Sequence, residues 1–201
     1  MRRKEFEVRD RAFLEEVLKN AEVGYLAFNG ADGWPRITPL SFVFDGRILW
    51  HGAMAGERCQ SLQADPRATF AAVSVQTYIP SHFTAEEDAA AATVAFQSVQ
   101  VRGRCGTIED PAEKCAVLNR LMQKYQPEGR YKNISPEDPL YQKVLSHTGV
   151  FALVAEGIIG KCKMLQNKSE AERRKIAAKL EGRGTPADLT MAREILKNLR
   201  G

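Results

Sequence analysis

Residues 35–52 read Pro35-Arg36-Ile37-Thr38-Pro39-Leu40-Ser41-Phe42-Val43-Phe44-Asp45-Gly46-Arg47-Ile48-Leu49-Trp50-His51-Gly52. The pair Asp45-Gly46 stands between two runs that are rich in apolar residues. In this setting Asp-Gly predicts a two-residue hairpin turn, because such a turn needs positive φ at both central positions. The stretch therefore predicts strands over about residues 35–44 and 47–53, joined by a tight turn.

Polar side chains stand at the ends of these two strands and just beyond them. They are Arg36, Thr38, Ser41, His51 and Arg58. Binding residues are often presented on such connecting segments of a rigid scaffold, where they can donate hydrogen bonds to a bound molecule. The hairpin is therefore the first candidate for a binding site.

The rest of the first 160 residues also favours strands with short connections. Further strands are predicted at about residues 22–29, 67–75, 97–108 and 150–155, with helices starting after Asp10, at Glu57, after Asp110 and at Ser135. Residues 77–96 predict a long loop with a helical turn, which lines a ligand site, reaches a neighbouring subunit or is a variable insertion. This meander leaves little room for parallel βαβ units, so we expect a mainly β, α+β fold.

Two helices are predicted at the C-terminal end. Ser169 and Thr185 each begin a capping-box pattern, and Gly182 and Gly184 lie between the two helices as a stop and a hinge. We predict a domain at residues 1–160 and a helical appendage at 161–201. From Gly157 onward 11 Lys or Arg stand against 5 acids, whereas the preceding residues have 18 against 20.

The basic tail raises a second hypothesis, contact with a nucleic acid or with a membrane surface. Its helices also carry apolar stripes, which predict that they pack on the domain or on a dimer partner with their charges outward. No aromatic residue interleaves the basic ones, which argues against stacking on single strands. Nucleic acid is therefore not the favoured partner.

Composition limits the class of protein. The chain has 201 residues, of which 44% are apolar and 27% charged, as expected for a globular protein. Its longest uncharged apolar runs fall short of the roughly 18 residues that a membrane helix needs, and no signal-peptide core follows the N-terminus. We expect a cytoplasmic protein with no membrane partner.

The four cysteines form no Cys-x-x-Cys pair, so no metal site is predicted and we expect reduced thiols.

Taken in order, five segments resemble a known family. They are Val23–Phe28, the hairpin, Gly56-Glu57-Arg58, Ser61–Phe70 and Gln97–Gly103. From about residue 21 to residue 160 the chain resembles the FMN-binding split-barrel family related to pyridoxamine 5′-phosphate oxidase, and within it the nitroimidazole-resistance branch. The resemblance implies an FMN-binding split β-barrel of antiparallel strands with flanking helices.

The resemblance also implies a set of cofactor-binding residues. Arg36 and Arg58 align with basic positions that hold the flavin phosphate, although either could be an ordinary exposed cation. The strand Ile37, Thr38, Pro39, Leu40 and Ser41 aligns with the one along the flavin ring, and Trp50 and His51 align with the pair beneath it. Gln97 and Ser98 align with a polar ring contact, though a glutamine is commoner at the second position. Lys161 or Lys163 is the candidate for a further contact with the flavin.

His51 is the one candidate for a catalytic role. A lone histidine is more often structural, but this one aligns with a histidine that lies near the flavin in the nitroimidazole-resistance branch, and imidazole titrates near neutral pH. The flavin itself would supply the electron chemistry.

The implied function is a flavoprotein that reduces small nitro-aromatic or quinone-like acceptors with electrons from a small-molecule donor. FMN is the expected cofactor, with FAD as the alternative. The oxidase proper is less favoured, because its arginine-bearing C-terminal signature is not evident. The alternative class is a non-enzymatic flavin- or haem-binding regulator with a basic C-terminal tail. Either protein is expected to be a homodimer with flavin at the interface.

Overall fold

The structure, a computed structural model, describes residues 3–199. Within that range it contains eight β-strands and six α-helices. The strands are β1 (Glu7–Val8), β2 (Gly24–Asn29), β3 (Pro35–Leu40), β4 (Val43–Phe44), β5 (Arg47–Ala53), β6 (Arg67–Ile79), β7 (Thr93–Thr107) and β8 (Thr148–Lys163). The helices are α1 (Arg11–Asn20), α2 (Glu57–Ala64), α3 (Pro111–Tyr125), α4 (Pro139–His147), α5 (Glu170–Arg183) and α6 (Pro186–Lys197).

The strands form one sheet in the order β3-β2-β6-β7-β8-β5-β4, and β1 pairs with β8. The pairings with a defined register, such as β2 with β3 and β5 with β8, are antiparallel. β3 and β4 stand at opposite ends of this order although only Ser41 and Phe42 separate them in the chain. The sheet is therefore open between β3 and β4, and the predicted split-barrel class is confirmed.

The prediction of one continuous strand over residues 35–44 is wrong. β3 pairs with β2, whereas β4 pairs with β5. The backbone of Phe42 bonds instead to side chains of α3: its N–H donates to the Tyr125 hydroxyl at 2.9 Å, and its carbonyl accepts from Lys124 Nζ at 3.1 Å. These bonds satisfy the backbone groups that leave the ladder, so the chain can switch strand partners here.

The hairpin at Asp45 and Gly46 forms, but with a different turn. Phe44 pairs with Ile48, so three residues make the loop, and Gly46 has φ +101° whereas Asp45 does not have positive φ. Asp45 is held by Arg47, whose N–H and guanidinium both donate to its carboxylate. Only one position therefore needs the conformational freedom of glycine, rather than the two that a primed turn requires.

Several other boundaries differ from those predicted. β6 continues to Ile79 and β7 begins at Thr93, which reduces the predicted loop to residues 80–92 with two short 3₁₀ turns. α4 is capped by Asp138 with Pro139 at its first position, three residues after the predicted start at Ser135. The caps at Asp10 and Asp110 are as predicted, since each carboxylate accepts from the backbone N–H three residues later.

Contacts divide the chain into two compact units. Unit 1 comprises residues 3–21, 73–99 and 159–199, and unit 2 comprises residues 22–72 and 100–158. The domain boundary predicted at residues 160 and 161 remains a prediction.

Among residues 3–199, no helix has both the length and the apolarity required to span a membrane.

Unit 2 is built around α3 and strands β4, β5 and β8. Its buried cluster consists of Val43, Leu49, Ile108, Val117, Leu121, Val150 and Ala152. Burying each of the valine, leucine and isoleucine side chains contributes roughly 1.5–3 kcal/mol, which is why α3 docks through the face bearing Val117 and Leu121.

Unit 1 packs α5 and α6 against the ends of β6, β7 and β8. Its buried cluster includes Val75, Ile79, Ala95, Cys162, Met164, Ile176, Leu180, Met191 and Ile195. α5 has the predicted capping box of Ser169 and Glu172, and it ends at Gly184 with φ +73°. Thr185 caps α6, but the predicted second capping box is incomplete, because the Asp188 carboxylate bonds to Thr77 and Arg183 instead.

Candidate functional site

Arg58 is held at the start of α2 in unit 2. Gly56, with φ +106°, precedes the helix and lets the chain turn from β5 into it. The Arg58 guanidinium lies 5.7 Å from the ring centroid of Phe151, and a Cβ on Gly52 would lie 2.2 Å from its Nη2 atom. Among the described residues, no carboxylate lies within ion-pair distance of Arg58, so its charge is available to an anion.

Trp50 and Phe151 form the apolar layer beside this arginine. Their rings stack with centroids 5.7 Å apart and an interplanar angle of 18°. Trp50 is fully buried, and its indole N–H has no hydrogen-bond partner in the described part of the chain. A buried donor without a partner costs about 1–3 kcal/mol, so Trp50 is stabilised by its packing rather than by its polar atom.

A cavity of about 270 Å³ opens beside Arg58. Its walls are mainly apolar, with Met54, Leu62, Pro66 and Phe151 among them, and Arg58 is the one charged side chain among the described lining residues. Cys105 also faces it, but burial raises the pKa of this thiol to about 12, so it stays protonated. A protonated thiol is a poor nucleophile and a poor metal ligand.

Arg36 differs from Arg58 because its guanidinium is already engaged. It donates to Asp32 and to Glu57 at 2.9 Å each, and to the carbonyl of Trp34 at 3.2 Å. Its hydrogen bond to Asp32 lowers the pKa of that carboxyl. Arg36 thus ties the turn between β2 and β3 to the first residue of α2, and two carboxylates balance its charge.

β3 presents the predicted ring-binding strand at one end of the sheet order. Since β3 pairs only with β2, the backbone groups on its outer edge have no strand partner among the described residues. Ile37 and Pro39 are exposed, Thr38 is half-buried, Leu40 is buried, and Ser41 is exposed where the strand ends. Unpaired backbone donors and acceptors of this kind can bond to the polar edge of a flat ligand.

His51 lies on β5 directly after Trp50 and is exposed, where the buried run Ile48, Leu49 and Trp50 ends. Val150 faces it across the ladder with β8. The imidazole ring of His51 has no hydrogen-bond partner among the described residues, so it does not hold any part of the fold in place.

The three remaining predicted residues, Gln97, Ser98 and Lys161, belong to unit 1. Gln97 is buried, and its amide is engaged at both ends: it accepts from Ser74 at 3.2 Å and donates to Glu194 at 2.9 Å. Ser98 is half-buried on β7.

Lys161 lies on β8 with Nζ 5.3 Å from the ring centroid of Phe96. The structure thus places these three residues and the hairpin residues in different units.

Sequence reasoning missed Phe151, the ring beneath Arg58. It stands in an apolar strand segment whose composition is that of any buried strand, and its contact with Arg58 joins residues 93 positions apart in the chain. In residues 3–199, no group of three or more histidine, cysteine or acidic side chains is arranged to hold a metal ion.

Residues 10–161 match the sequence profile of the family described as pyridoxamine 5′-phosphate oxidase. No curated protein sequence matches the chain.

Solved structures with the same fold come from several bacteria. A candidate 5-nitroimidazole antibiotic resistance protein from Bacteroides thetaiotaomicron is 18% identical with a TM-score of 0.62, over 77% of this chain and 85% of that one. A flavocytochrome from Azotobacter vinelandii is 21% identical with a TM-score of 0.66, over 83% of this chain and 74% of that one. An FAD and heme binding protein from Mycobacterium smegmatis is 18% identical with a TM-score of 0.66, over 86% of this chain and 79% of that one. At these identities the likeness establishes the fold.

Proposed function

The chain belongs to the pyridoxamine 5′-phosphate oxidase family, and from this premise we propose that it binds FMN and reduces small nitro-aromatic or quinone-like acceptors. The observation that supports this most directly is the Arg58 guanidinium, which has no ion-pair partner among the described residues and lies over Gly52 at the start of α2.

The phosphate end of FMN fits the surroundings of Arg58. A phosphate dianion prefers a planar guanidinium that can donate two hydrogen bonds, and it is further stabilised by the free N–H groups at a helix N-terminus. Both features meet at Gly56 and Arg58. Arg36 has a supporting role in this proposal, because its salt bridge to Glu57 holds the first residue of α2 in place.

The ring end of FMN fits the outer edge of β3. The outward-facing backbone groups of β3, which belong to every second residue of the strand, would hold the polar edge of the isoalloxazine together with exposed Ser41. When bound, the flavin would supply the hydride or electron transfer. His51 is exposed and unbonded, so we assign it to contact with the ring or the acceptor.

We propose a homodimer with the flavin at the interface, in which the part of β7 from Gln97 to Val101 reaches the cofactor bound to the partner. β2 and β3 support this proposal, because Tyr25 is 49% exposed and Ile37 is 69% exposed. The ladder pairs Tyr25 with Pro39 and Ala27 with Ile37, which places Tyr25 and Ile37 on one face of the sheet. Apolar side chains grouped on an exposed face mark association sites.

The names of the structural neighbours bear on the choice of cofactor and on the alternative function. One is a flavocytochrome and another binds both FAD and heme. The alternative is therefore a flavin- or haem-binding protein that does not turn over.

The absorption spectrum of the purified protein tests the proposal. We expect flavin bands, release of FMN on denaturation as shown by its mass, and oxidation of reduced nicotinamide when a nitro-aromatic acceptor is added. FAD in place of FMN would correct the cofactor, and bound flavin or a haem band without turnover would establish the alternative. A colourless protein that cannot be reconstituted with flavin would refute the proposal.

A further inference from the structure

A second cavity, of about 530 Å³, lies entirely within unit 1. Its walls come from the N-terminal segment, from the end of the 80–92 loop, from β7 and from the last residues of β8. Its size lies within the roughly 300–1,000 Å³ of typical small-molecule sites and exceeds what a single inorganic phosphate needs.

Four cations line this cavity: Arg3, Lys161, Lys163 and Lys168. No acidic side chain is among its described lining residues. Lys168 has an ion-pair partner in Glu172 at 3.4 Å, and Arg3 approaches Glu5 at 4.0 Å. For Lys161 and Lys163 no carboxylate lies within ion-pair distance in the described part of the chain, so the cavity has an excess of positive charge.

The two lysines on β8 are set side by side. Lys161 and Lys163 are two positions apart, so strand alternation directs both to the same face, whereas Cys162 between them is buried in the core of unit 1. Lys163 donates to the Thr93 hydroxyl. Burial, followed by the nearby charges of Lys161 and Arg3, lowers the pKa of Lys163. A bound anion would relieve this repulsion.

Aromatic rings complete the walls. Lys161 lies 5.3 Å from the ring centroid of Phe96, and Arg3 lies 5.6 Å from that of Phe6. Asn167 adds an amide that can both donate and accept. Cations beside flat apolar surfaces and one amide match a molecule with several negative charges and a planar polar ring.

We propose that this cavity binds a nucleotide other than the flavin, with its phosphates on Lys161 and Lys163 and its base against Phe96. The proposal rests on unit 1 alone and does not require FMN at Arg58. FMN also combines a phosphate with a flat ring, so the experiment must distinguish binding of FMN in this cavity from binding of a second nucleotide.

Calorimetric titration with ADP tests the proposal, using protein as purified and protein saturated with FMN. We expect ADP to bind in both cases, since the flavin is assigned elsewhere. Each of K161Q and K163Q should weaken ADP binding by about 10-fold or more, because a hydrogen bond to a charged group is lost. The exposed Lys175 on α5 provides the control, and K175Q should leave ADP affinity unchanged.

Absence of ADP binding would overturn the proposal, as would equal affinity in K163Q and K175Q. If saturation with FMN abolishes ADP binding, the cavity is a flavin site and the proposal also fails. Flavin content is read separately from the absorption spectrum, so failure of the FMN proposal and failure of this one are distinguishable.

Discussion

The guanidinium of Arg58 occupies the space that a side chain on residue 52 would fill, because a Cβ on Gly52 would come within 2.2 Å of Nη2. Glycine at position 52 therefore allows Arg58 to lie against Phe151 at the start of α2. This relationship offers a way to move the proposed phosphate ligand without removing its charge.

We predict that Arg58→Ala weakens FMN binding by about 10- to 100-fold, since a charge-assisted hydrogen bond to phosphate is lost. Gly52→Ala should have a similar effect of about 10-fold, because the end of a flexible side chain is displaced while the fold is kept. Fluorescence titration gives the affinities, and urea unfolding checks the fold.

Two variants control this prediction. Gly182→Ala adds a Cβ that meets no atom within 4 Å, so FMN affinity should not change. Arg36→Gln should weaken FMN binding less than Arg58→Ala, because Arg36 is already bonded to Asp32 and Glu57. Unchanged affinity in Arg58→Ala would exclude Arg58 as the phosphate ligand.

His51→Ala should leave the urea midpoint unchanged, because the side chain is exposed and makes no hydrogen bond in the described structure. Reduction of nitro-aromatic acceptors should slow by about 10-fold or more if His51 serves the reaction as a proton donor or contact. His82→Ala, at another exposed histidine, is the control. Equal rates in the wild type and His51→Ala would show that His51 has no part in turnover.

Light scattering at micromolar concentration should give twice the 22.4 kDa chain mass. Tyr25→Glu places a charge on the exposed face of β2 and should shift the protein towards monomer with loss of flavin, whereas Val144→Glu on α4 should not. A wild-type monomer that keeps its flavin on dilution would contradict the interface proposal.

The buried carboxylate of Asp188 should make unit 1 sensitive to acid. Its hydrogen bonds to Arg183, and also those to Thr77, hold the pKa of this carboxyl well below its usual range. The folded state thus binds this proton more weakly than the unfolded chain does. The resulting stabilisation is present above about pH 4 and decreases as the pH falls below it.

Asp188→Asn should lower the free energy of unfolding by about 1.5–3 kcal/mol at pH 7, since the hydrogen bonds that the buried carboxylate accepts from Arg183 lose their charge. The difference from the wild type should shrink between about pH 4 and pH 2 as the unfolded carboxyl becomes protonated. Urea unfolding at several pH values measures this, with Glu181→Gln, at an exposed acid on α5, as the control. If the difference in unfolding free energy between the wild type and Asp188→Asn stays constant with pH, the pKa of the Asp188 carboxyl is not lowered by folding.

Features set by neighbours in the chain were predictable from the sequence. Asp10, Asp110 and Ser169 cap their helices as expected, because an N-cap side chain needs only a backbone N–H three residues away. The succession of strands with few long helices likewise indicated the antiparallel class, and the family resemblance indicated the open barrel.

Features that depend on distant partners were decided by the tertiary structure. The strand at 35–44 breaks at Phe42 because Tyr125 and Lys124, more than 80 residues away, satisfy its backbone groups. Aligned positions gave Arg36 and Arg58 the same expected role, yet Asp32 and Glu57 neutralise one while Gly52 and Phe151 accommodate the other. Local sequence determined where elements begin, since caps and turns are short-range. Only packing determined which charges remain available, since that depends on which partners the fold brings within a few ångströms.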